Sequence, residues 1–292
     1  MYKAYNDKMG NILPSIKSES VDIILTDPPY LYLKNQKLDK QFDEELLFNE
    51  AKRILKKDGF IVLFGRGTSF YRWNTILDGL GFTFKEEIIW NKSYITSPIM
   101  ALSRIHETVS IHTKGNGKIN KIKVPYLEMK SHDLDSVIRD VKRVKAILKN
   151  TKSLDAVLSF LEENSGSNEK SIVRTDWNGK VSKNEVTVDN ESVQSGDRCV
   201  NTMQSICLGQ NEKSIIRQLR DHYNTIHPTQ KPVRLLERLL ALVTPKDIDR
   251  PIVLDPFAGS FSTGIASINM GCYPILIELD KEYYEKGIER IS

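Results

Sequence analysis

Short runs of β-branched and aromatic residues alternate along this chain with stretches whose apolar residues recur every three or four positions. Val21-Asp22-Ile23-Ile24-Leu25-Thr26 is an apolar run that stops at Pro28-Pro29, which predicts a buried strand ending in a loop. A helix follows, with Asp43 at its N-cap and Leu46, Leu47, Ala51, Ile54 and Leu55 on its apolar face. Gly59 lies just beyond its expected end. Phe60-Ile61-Val62-Leu63-Phe64 predicts a second continuous strand, Thr68 to Leu77 a helix closed by Gly79 and Gly81, and Phe82 to Trp90 and Thr108 to His112 two more strands.

After His112 the texture changes. From Thr113 to Ile226 the chain is rich in Lys, Asn, Ser and Gly. Helical spacing is confined to Asp135–Leu148 and Leu154–Leu161, and Asn178-Gly179 marks a turn. The first texture returns at His227. Pro232 starts a helix with Leu235, Leu236, Leu239, Leu240 and Val243 on one side. Ile252-Val253-Leu254 predicts a strand ending at Asp255-Pro256, and a helix begins near Ser260. Ile275-Leu276-Ile277 predicts a strand ending at Glu278, with a last helix from Lys281. The organisation is therefore 1–112, an inserted 113–226, and 227–292. Strands alternating with helices predict an α/β fold, a parallel sheet covered on both faces. Ligands of such sheets sit beyond the carboxyl ends of the strands, where strand order switches. Asp27, Asp255 and Glu278 all fall at strand ends.

Composition narrows the chemistry. At 292 residues and 40% hydrophobic, the chain can bury a core without staples. The N-terminus has no apolar stretch of the signal-peptide kind, and no run approaches the roughly 20 apolar residues that span a bilayer. Cys199, Cys207 and Cys272 are odd in number and form no CxxC pair, which argues against a disulfide framework or a zinc site and for a reducing cytoplasm. No metal site is expected. The net charge of +4 resides in the middle region, the flanks balancing to zero. That excess alone fits an ordinary solvated surface.

Two motifs carry chemistry. In Asp255-Pro256-Phe257-Ala258-Gly259-Ser260, a strand ends in a small-residue turn before a helix, placing backbone N–H groups at the mouth of the sheet. Glu278 ends the next strand, at a spacing that suits a carboxylate gripping ribose hydroxyls. There is neither a GxGxxG nor a phosphate-loop lysine, which argues against NAD and ATP. In Asp27-Pro28-Pro29-Tyr30, the two prolines stiffen the backbone and hold the Pro28 carbonyl beside the Asp27 carboxylate. Two adjacent acceptors match an exocyclic amino group with two N–H donors. Bonds to both would localise the nitrogen lone pair and stabilise the positive charge that develops on alkylation, while Tyr30 offers a ring for a base to stack on. Taken alone, the tetrapeptide serves a structural Asp-Pro turn equally well.

Together these segments resemble the amino DNA methyltransferases of the permuted β class. Asp27 to Tyr30 is similar to their catalytic motif and Asp255 to Gly259 to their S-adenosyl-L-methionine loop. His227-Pro228-Thr229-Gln230-Lys231-Pro232 is similar to the segment preceding that loop. Trp90-Asn91-Lys92 and Arg104-Ile105-His106-Glu107 resemble weaker patterns of the class. The resemblance implies a Rossmann-like, S-adenosyl-L-methionine-dependent sheet with an inserted target-recognition region, acting on N6 of a flipped-out adenine in double-stranded DNA. N4 of cytosine is the alternative, and an inactive DNA-binding regulator a further one. It implies catalytic roles for Asp27, Pro28, Pro29 and Tyr30. For the cofactor it implies Asn6 and Asp7, just before the first strand, with Asp27, Thr229, Lys231, Asp255, Phe257, Ala258, Gly259, Ser260 and Glu278; Lys34, Lys37 and Lys40, just after the catalytic motif, are placed to bind DNA in a basic loop over the flipped base. It further implies a homodimer; with no nuclease motif evident and little room for one, a restriction endonuclease partner is expected on a separate chain, and no membrane and a cytoplasmic, nucleoid-associated location are expected. Where the class continues its loop with Gly, this chain has Phe261, so the turn is expected to manage without a positive φ there.

Overall fold

The computed structural model describes residues 2–30, 41–93, 102–130, 133–147, 201–202, 204–221 and 225–292. Lys34, Lys37, Lys40, the helix expected over 154–161 and the Asn178-Gly179 turn lie outside them. The chain forms two compact units, Met1–Ile122 with Lys213–Ser292, and Lys123–Glu212.

The described strands, in chain order, are β1 (Lys3–Asn6), β2 (Val21–Thr26), β3 (Leu55–Gly65), β4 (Thr83–Asn91), β5 (His106–Thr113), β6 (Lys123–Val124), β7 (Gln210–Asn211), β8 (Ile215–Arg217), β9 (Ile252–Asp255) and β10 (Tyr273–Glu278). The helices used below are α1 (Met9–Ile12), α2 (Glu44–Ile54), α3 (Gly67–Gly79), α4 (Tyr126–Lys130), α5 (Leu134–Ile147), α6 (Val233–Val243), α7 (Ser262–Asn269) and α8 (Lys281–Ile291).

Among the described residues of the larger unit, eight strands form one sheet in the order β1-β10-β9-β2-β3-β5-β4-β8. Pairing is parallel from β1 through β3. The expectation of a wholly parallel sheet fails at β5, which runs antiparallel to both β3 and β4. The pleat sorts the core onto two faces. Ile23, Leu25, Phe60, Val62 and Phe64 join Leu235, Leu236, Leu239 and Leu240 of α6. Ile24, Ile61 and Leu63 join Leu47, Phe48 and Ile54 of α2 and Trp73 and Leu77 of α3. Each such side chain contributes about 1.5–3 kcal/mol by leaving water.

Local signals explain most boundaries. The Asp43 carboxylate accepts the Leu46 amide at 2.9 Å and caps α2, with Glu44 and Glu45 in the first turn. Pro232 stands at the N-cap of α6. Three expectations need correction. Gly59 does not terminate α2: the helix stops at Ile54, Leu55 is already extended, and Gly59 lies inside β3. There a Cβ would come within 2.9 Å of the Asp22 carbonyl oxygen, so close packing against β2 is what requires glycine. The segment holding Asn6 is not a lead-in to the first strand but the end of an edge strand, β1, paired with β10. Phe261 does adopt a positive φ, at 59°. The left-handed backbone costs roughly 1–2 kcal/mol. It aims the fully buried ring at Leu276, Tyr284 and Ile288, and that burial offsets the strain.

The smaller unit pairs β6 with β7 and carries α4 and α5. Asp140 of α5 accepts the Tyr126 hydroxyl at 2.8 Å and pairs with Arg143 at 2.9 Å. Among the described residues no helix is long and apolar enough to cross a membrane.

Candidate active site

Strand order switches between β9 and β2: β10 lies on the far side of β9, and β3 on the far side of β2. A crevice opens where such connections diverge. Asp255 is the last residue of β9 and Asp27 directly follows β2, so residues far apart in sequence flank one crevice. Asp255 is buried. Burial pushes its carboxyl up to about 7, while the Thr263 hydroxyl and the Phe257 amide pull it back and the nearby Asp27 charge adds to the rise.

The turn after β9 is knitted internally. The Phe257 amide donates to Asp255 Oδ1 at 3.0 Å, the Ala258 amide to the Ile277 carbonyl at 2.9 Å, and the Gly259 amide to Glu278 Oε2 at 2.7 Å. These three amides are thus already bonded within the protein and are not turned toward a ligand. The mouth instead presents carboxylates: Asp27, Asp255 and Glu278. Glu278 Oε1 accepts the Asp280 amide at 2.7 Å, and burial raises the Glu278 carboxyl above its usual range. Beside it Leu279 leaves an aliphatic side chain 46% exposed. From the C-terminal helix, Arg290 donates to the Ser260 carbonyl and the Ser262 hydroxyl, both at 2.8 Å, fixing the far side of the turn.

The remaining residues expected at the cofactor divide. Asn6 donates to the Glu278 carbonyl at 2.9 Å, tying β1 to the mouth. Asp7 is occupied locally by the Lys8 amide and the Asn11 side chain. The Thr229 amide donates to His227 Nδ1 at 3.2 Å. The His227 ring packs edge-on to Tyr283 at 4.4 Å, beside Gly259, and burial holds the imidazole down at about 4, hence neutral.

Lys231 belongs with the Asp27 side of the crevice. Its ammonium bonds Asp27 Oδ2 and pairs with Glu107 Oε2 at 3.1 Å. The Phe64 ring centroid lies 5.0 Å away. Glu107 Oε1 in turn takes the Lys92 ammonium at 3.0 Å. The Tyr30 hydroxyl donates to Asp27 Oδ1 at 2.5 Å, its ring leaning on Trp73. The result is a line of alternating charge: Lys92, Glu107, Lys231, Asp27. Burial works against the charge on Glu107, yet Lys231 and Lys92 hold its carboxyl down at about 2. Burial likewise opposes the Lys231 charge, and Asp27 and Glu107 override it. Burial raises Asp27, with Glu107 adding to the rise and Lys231 and Tyr30 opposing it. The Asp27 side chain keeps 23% of its surface open, so a further partner can reach it.

Lys92 and Glu107 are not among the residues that the sequence assigns to the site. Glu107 lies near the start of β5, and only because β5 is reversed does that start share an edge with the carboxyl ends of its neighbours; it pairs with Trp90 near the end of β4. The available signal is that both stand in segments resembling patterns of the class, Trp90-Asn91-Lys92 and Arg104-Ile105-His106-Glu107, to which the sequence attaches no role.

A family profile described as DNA methylase matches residues 21–289, and the chain belongs to that N6/N4 DNA methylase family. It is 31% identical over 289 residues to the DNA adenine methyltransferase YhdJ of Escherichia coli (strain K12), covering 96% of this chain and 79% of that one. It is 26% identical to the type II methyltransferase M2.DpnII of Streptococcus pneumoniae, covering 96% of this chain and 85% of the relative. Among solved structures, the M1.HpyAVI–SAM complex shares the fold with a TM-score of 0.55 at 20% identity, over 99% of this chain and 100% of that one. The cytosine-N4-specific PvuII DNA methyltransferase shares it with a TM-score of 0.57 at 16% identity, over 99% and 86%. The protein is a DNA methyltransferase dependent on S-adenosyl-L-methionine. The mouth suits that cofactor: acidic side chains, with the Phe257, Ala258 and Gly259 amides internally bonded, favour a cationic sulfonium over a nucleotide phosphate.

Proposed function

We propose that this methyltransferase acts on N6 of an adenine drawn out of double-stranded DNA. The observation that carries the reading is the Asp27 carboxylate, seated just past β2 with an open edge, next to the rigid Pro28 carbonyl and across the crevice from Asp255. The name of the Escherichia coli relative, an adenine methyltransferase at 31% identity, supports the choice of base. The order of segments, with Asp27-Pro28-Pro29-Tyr30 ahead of the Asp255 turn, supports placement in the permuted β class.

When bound, S-adenosyl-L-methionine supplies an electrophilic methyl group and leaves as a neutral thioether. Glu278 would take its ribose hydroxyls and Leu279 would cover apolar surface of the nucleoside. Asp255 and Phe257 to Ser260 would line the remainder, with Thr229 and Lys231 toward the amino-acid end and Asn6 and Asp7 flanking the mouth. Asp27 and the Pro28 carbonyl accept the two N–H bonds of the target amine. This draws its lone pair out of the ring and stabilises the charge that accumulates on nitrogen. Pro29 stiffens that segment, and Tyr30 braces the flipped base. Lys34, Lys37 and Lys40, next in sequence, are assigned to phosphates. A homodimer and a separate endonuclease partner fit the same reading.

The test is to incubate the full chain with isotopically labelled cofactor and unmethylated DNA, digest to nucleosides and read the products by mass spectrometry. N6-methyldeoxyadenosine is expected. N4-methyldeoxycytidine would transfer the same chemistry to the other amine, and no labelled base would overturn the reading in favour of an inactive DNA-binding regulator.

A further inference from the structure

Asp27 can serve an incoming amine fully only once Lys231 has left it. An ammonium on Oδ2 holds the carboxylate's negative charge, the charge that the reacting nitrogen needs. Lys231 is nearly buried, so it cannot simply retire into water: only 9% of its side chain is exposed. It needs a second anion within reach, and Glu107 Oε2 already lies 3.1 Å from its nitrogen. The Phe64 and Trp90 rings flank the ammonium at 5.0 and 5.9 Å, which keeps it favourably surrounded off Asp27. Glu107 is itself anchored from behind by Lys92 at 3.0 Å. The exchange of partners on Asp27 therefore requires only a small shift along one line of charges.

We infer that Glu107 is a positioning residue for methyl transfer, the acceptor that takes over Lys231 when the target amino group displaces it from Asp27. This rests on the reading of Asp27 as the acceptor of the target amine. It assigns a task to a residue that lies outside the Asp27–Tyr30 segment and outside the cofactor turn. No proton or methyl group passes through Glu107; its effect is to keep Lys231 paired while Asp27 is in use.

The test is Glu107→Gln, in single-turnover methyl transfer at saturating cofactor across a pH series. The groups facing this cluster are Lys92 just past β4, Lys231 and His227 ahead of α6, Tyr30 and Asp27 beyond β2, and Asp255 from β9. With Glu107 neutral, Lys231 is left to Asp27 and is harder to displace, so the plateau rate is expected to fall about ten-fold or more. A like charge near Asp27 also disappears, so Asp27 ionises more readily and the acid limb of the profile moves to lower pH. General loosening of the fold lowers the plateau without moving that limb. Glu107→Asp, which keeps the charge, is expected to leave the limb in place. If Glu107→Gln does not fold, because Lys92 is left buried and unpaired, Lys92→Met combined with Glu107→Gln removes that charge and is expected to show the same fall and shift.

A plateau within about two-fold of wild type, a fall with no shift of the acid limb, or a loss confined to cofactor affinity would each overturn the inference. Asp27→Ala, assayed alongside, keeps the two readings apart. Normal transfer by that variant would break the assignment of Asp27 itself, whereas normal behaviour of the Glu107 variants alone would break only the role given to Glu107.

Discussion

Asp27 and Glu278 are both carboxylates at strand ends, but their surroundings prepare them for different losses. Removing the Asp27 carboxylate leaves Lys231 paired with Glu107, so the fold and the cofactor turn are expected to survive. Asp27→Ala should abolish methyl transfer and keep the cofactor dissociation constant within a few-fold, as measured by calorimetry; roughly wild-type transfer would break the mechanism. Glu278 holds the Gly259 and Asp280 amides as well as facing the mouth. Glu278→Ala is therefore expected to weaken cofactor binding by roughly 10–100-fold, the worth of hydrogen bonds to a charged group. Unchanged affinity would remove Glu278 from the site. Both residues are legible in the sequence because a continuous apolar run halts at each of them. Phe261 is not legible in the same way. Nothing within a few residues of it favours a left-handed backbone, and the burial that offsets the strain comes from Leu276 and α8.

At the scale of elements, α8 acts as a clamp on the cofactor turn. Arg290 reaches Ser260 and Ser262, and Gly287 lets the helix approach the Phe261 ring. A Cβ at Gly287 would lie 2.7 Å from that ring. Gly287→Ala is accordingly expected to cost about 1–3 kcal/mol by overpacking, read as a lowered urea midpoint; an unchanged midpoint would show that the ring repacks without strain. The element that escapes the sequence is β5. Its residues Val109, Ser110, Ile111, His112 and Thr113 are all buried, as are the residues of the parallel strand β2, so the pattern marks a strand and is silent on direction. Direction decides which end of the strand meets the crevice, and with it whether Glu107 is part of the site. The helices α2 and α6, in contrast, carry their own start signals, Asp43 and Pro232, and apolar faces, so both starts are readable, although α2 ends at Ile54, short of Gly59.

Over the whole molecule, the crevice concentrates acidic groups in a buried place, and this has a pH signature. The Asp255 carboxyl ionises near 4 in an unfolded chain and at about 7 when folded. Between those values the folded protein holds a proton that the unfolded chain has released. This contribution to stability is complete below pH 4 and is lost as pH rises through 7. From pH 5 to 8 the loss is on the order of 3 kcal/mol for the cofactor-free protein. Asp255→Asn, which does not titrate, should show a smaller decline in urea-unfolding free energy over that range; an equal decline would mean that Asp255 is ionised throughout. The sheet that creates this crevice also brings the two chain ends to one edge. Lys3 pairs with Ile275, and Ile288 and Ile291 of the last helix share a cluster with Ala4. A short linker between the termini, with a new opening in the exposed Lys246–Arg250 turn, would yield a circular permutant in which the Asp255 turn precedes Asp27 while every neighbour in the sheet stays the same. Motif order along the chain is thus a matter of where the joined chain is opened, and the permutant is expected to retain methyl transfer; loss of transfer with the fold intact would show that the order matters.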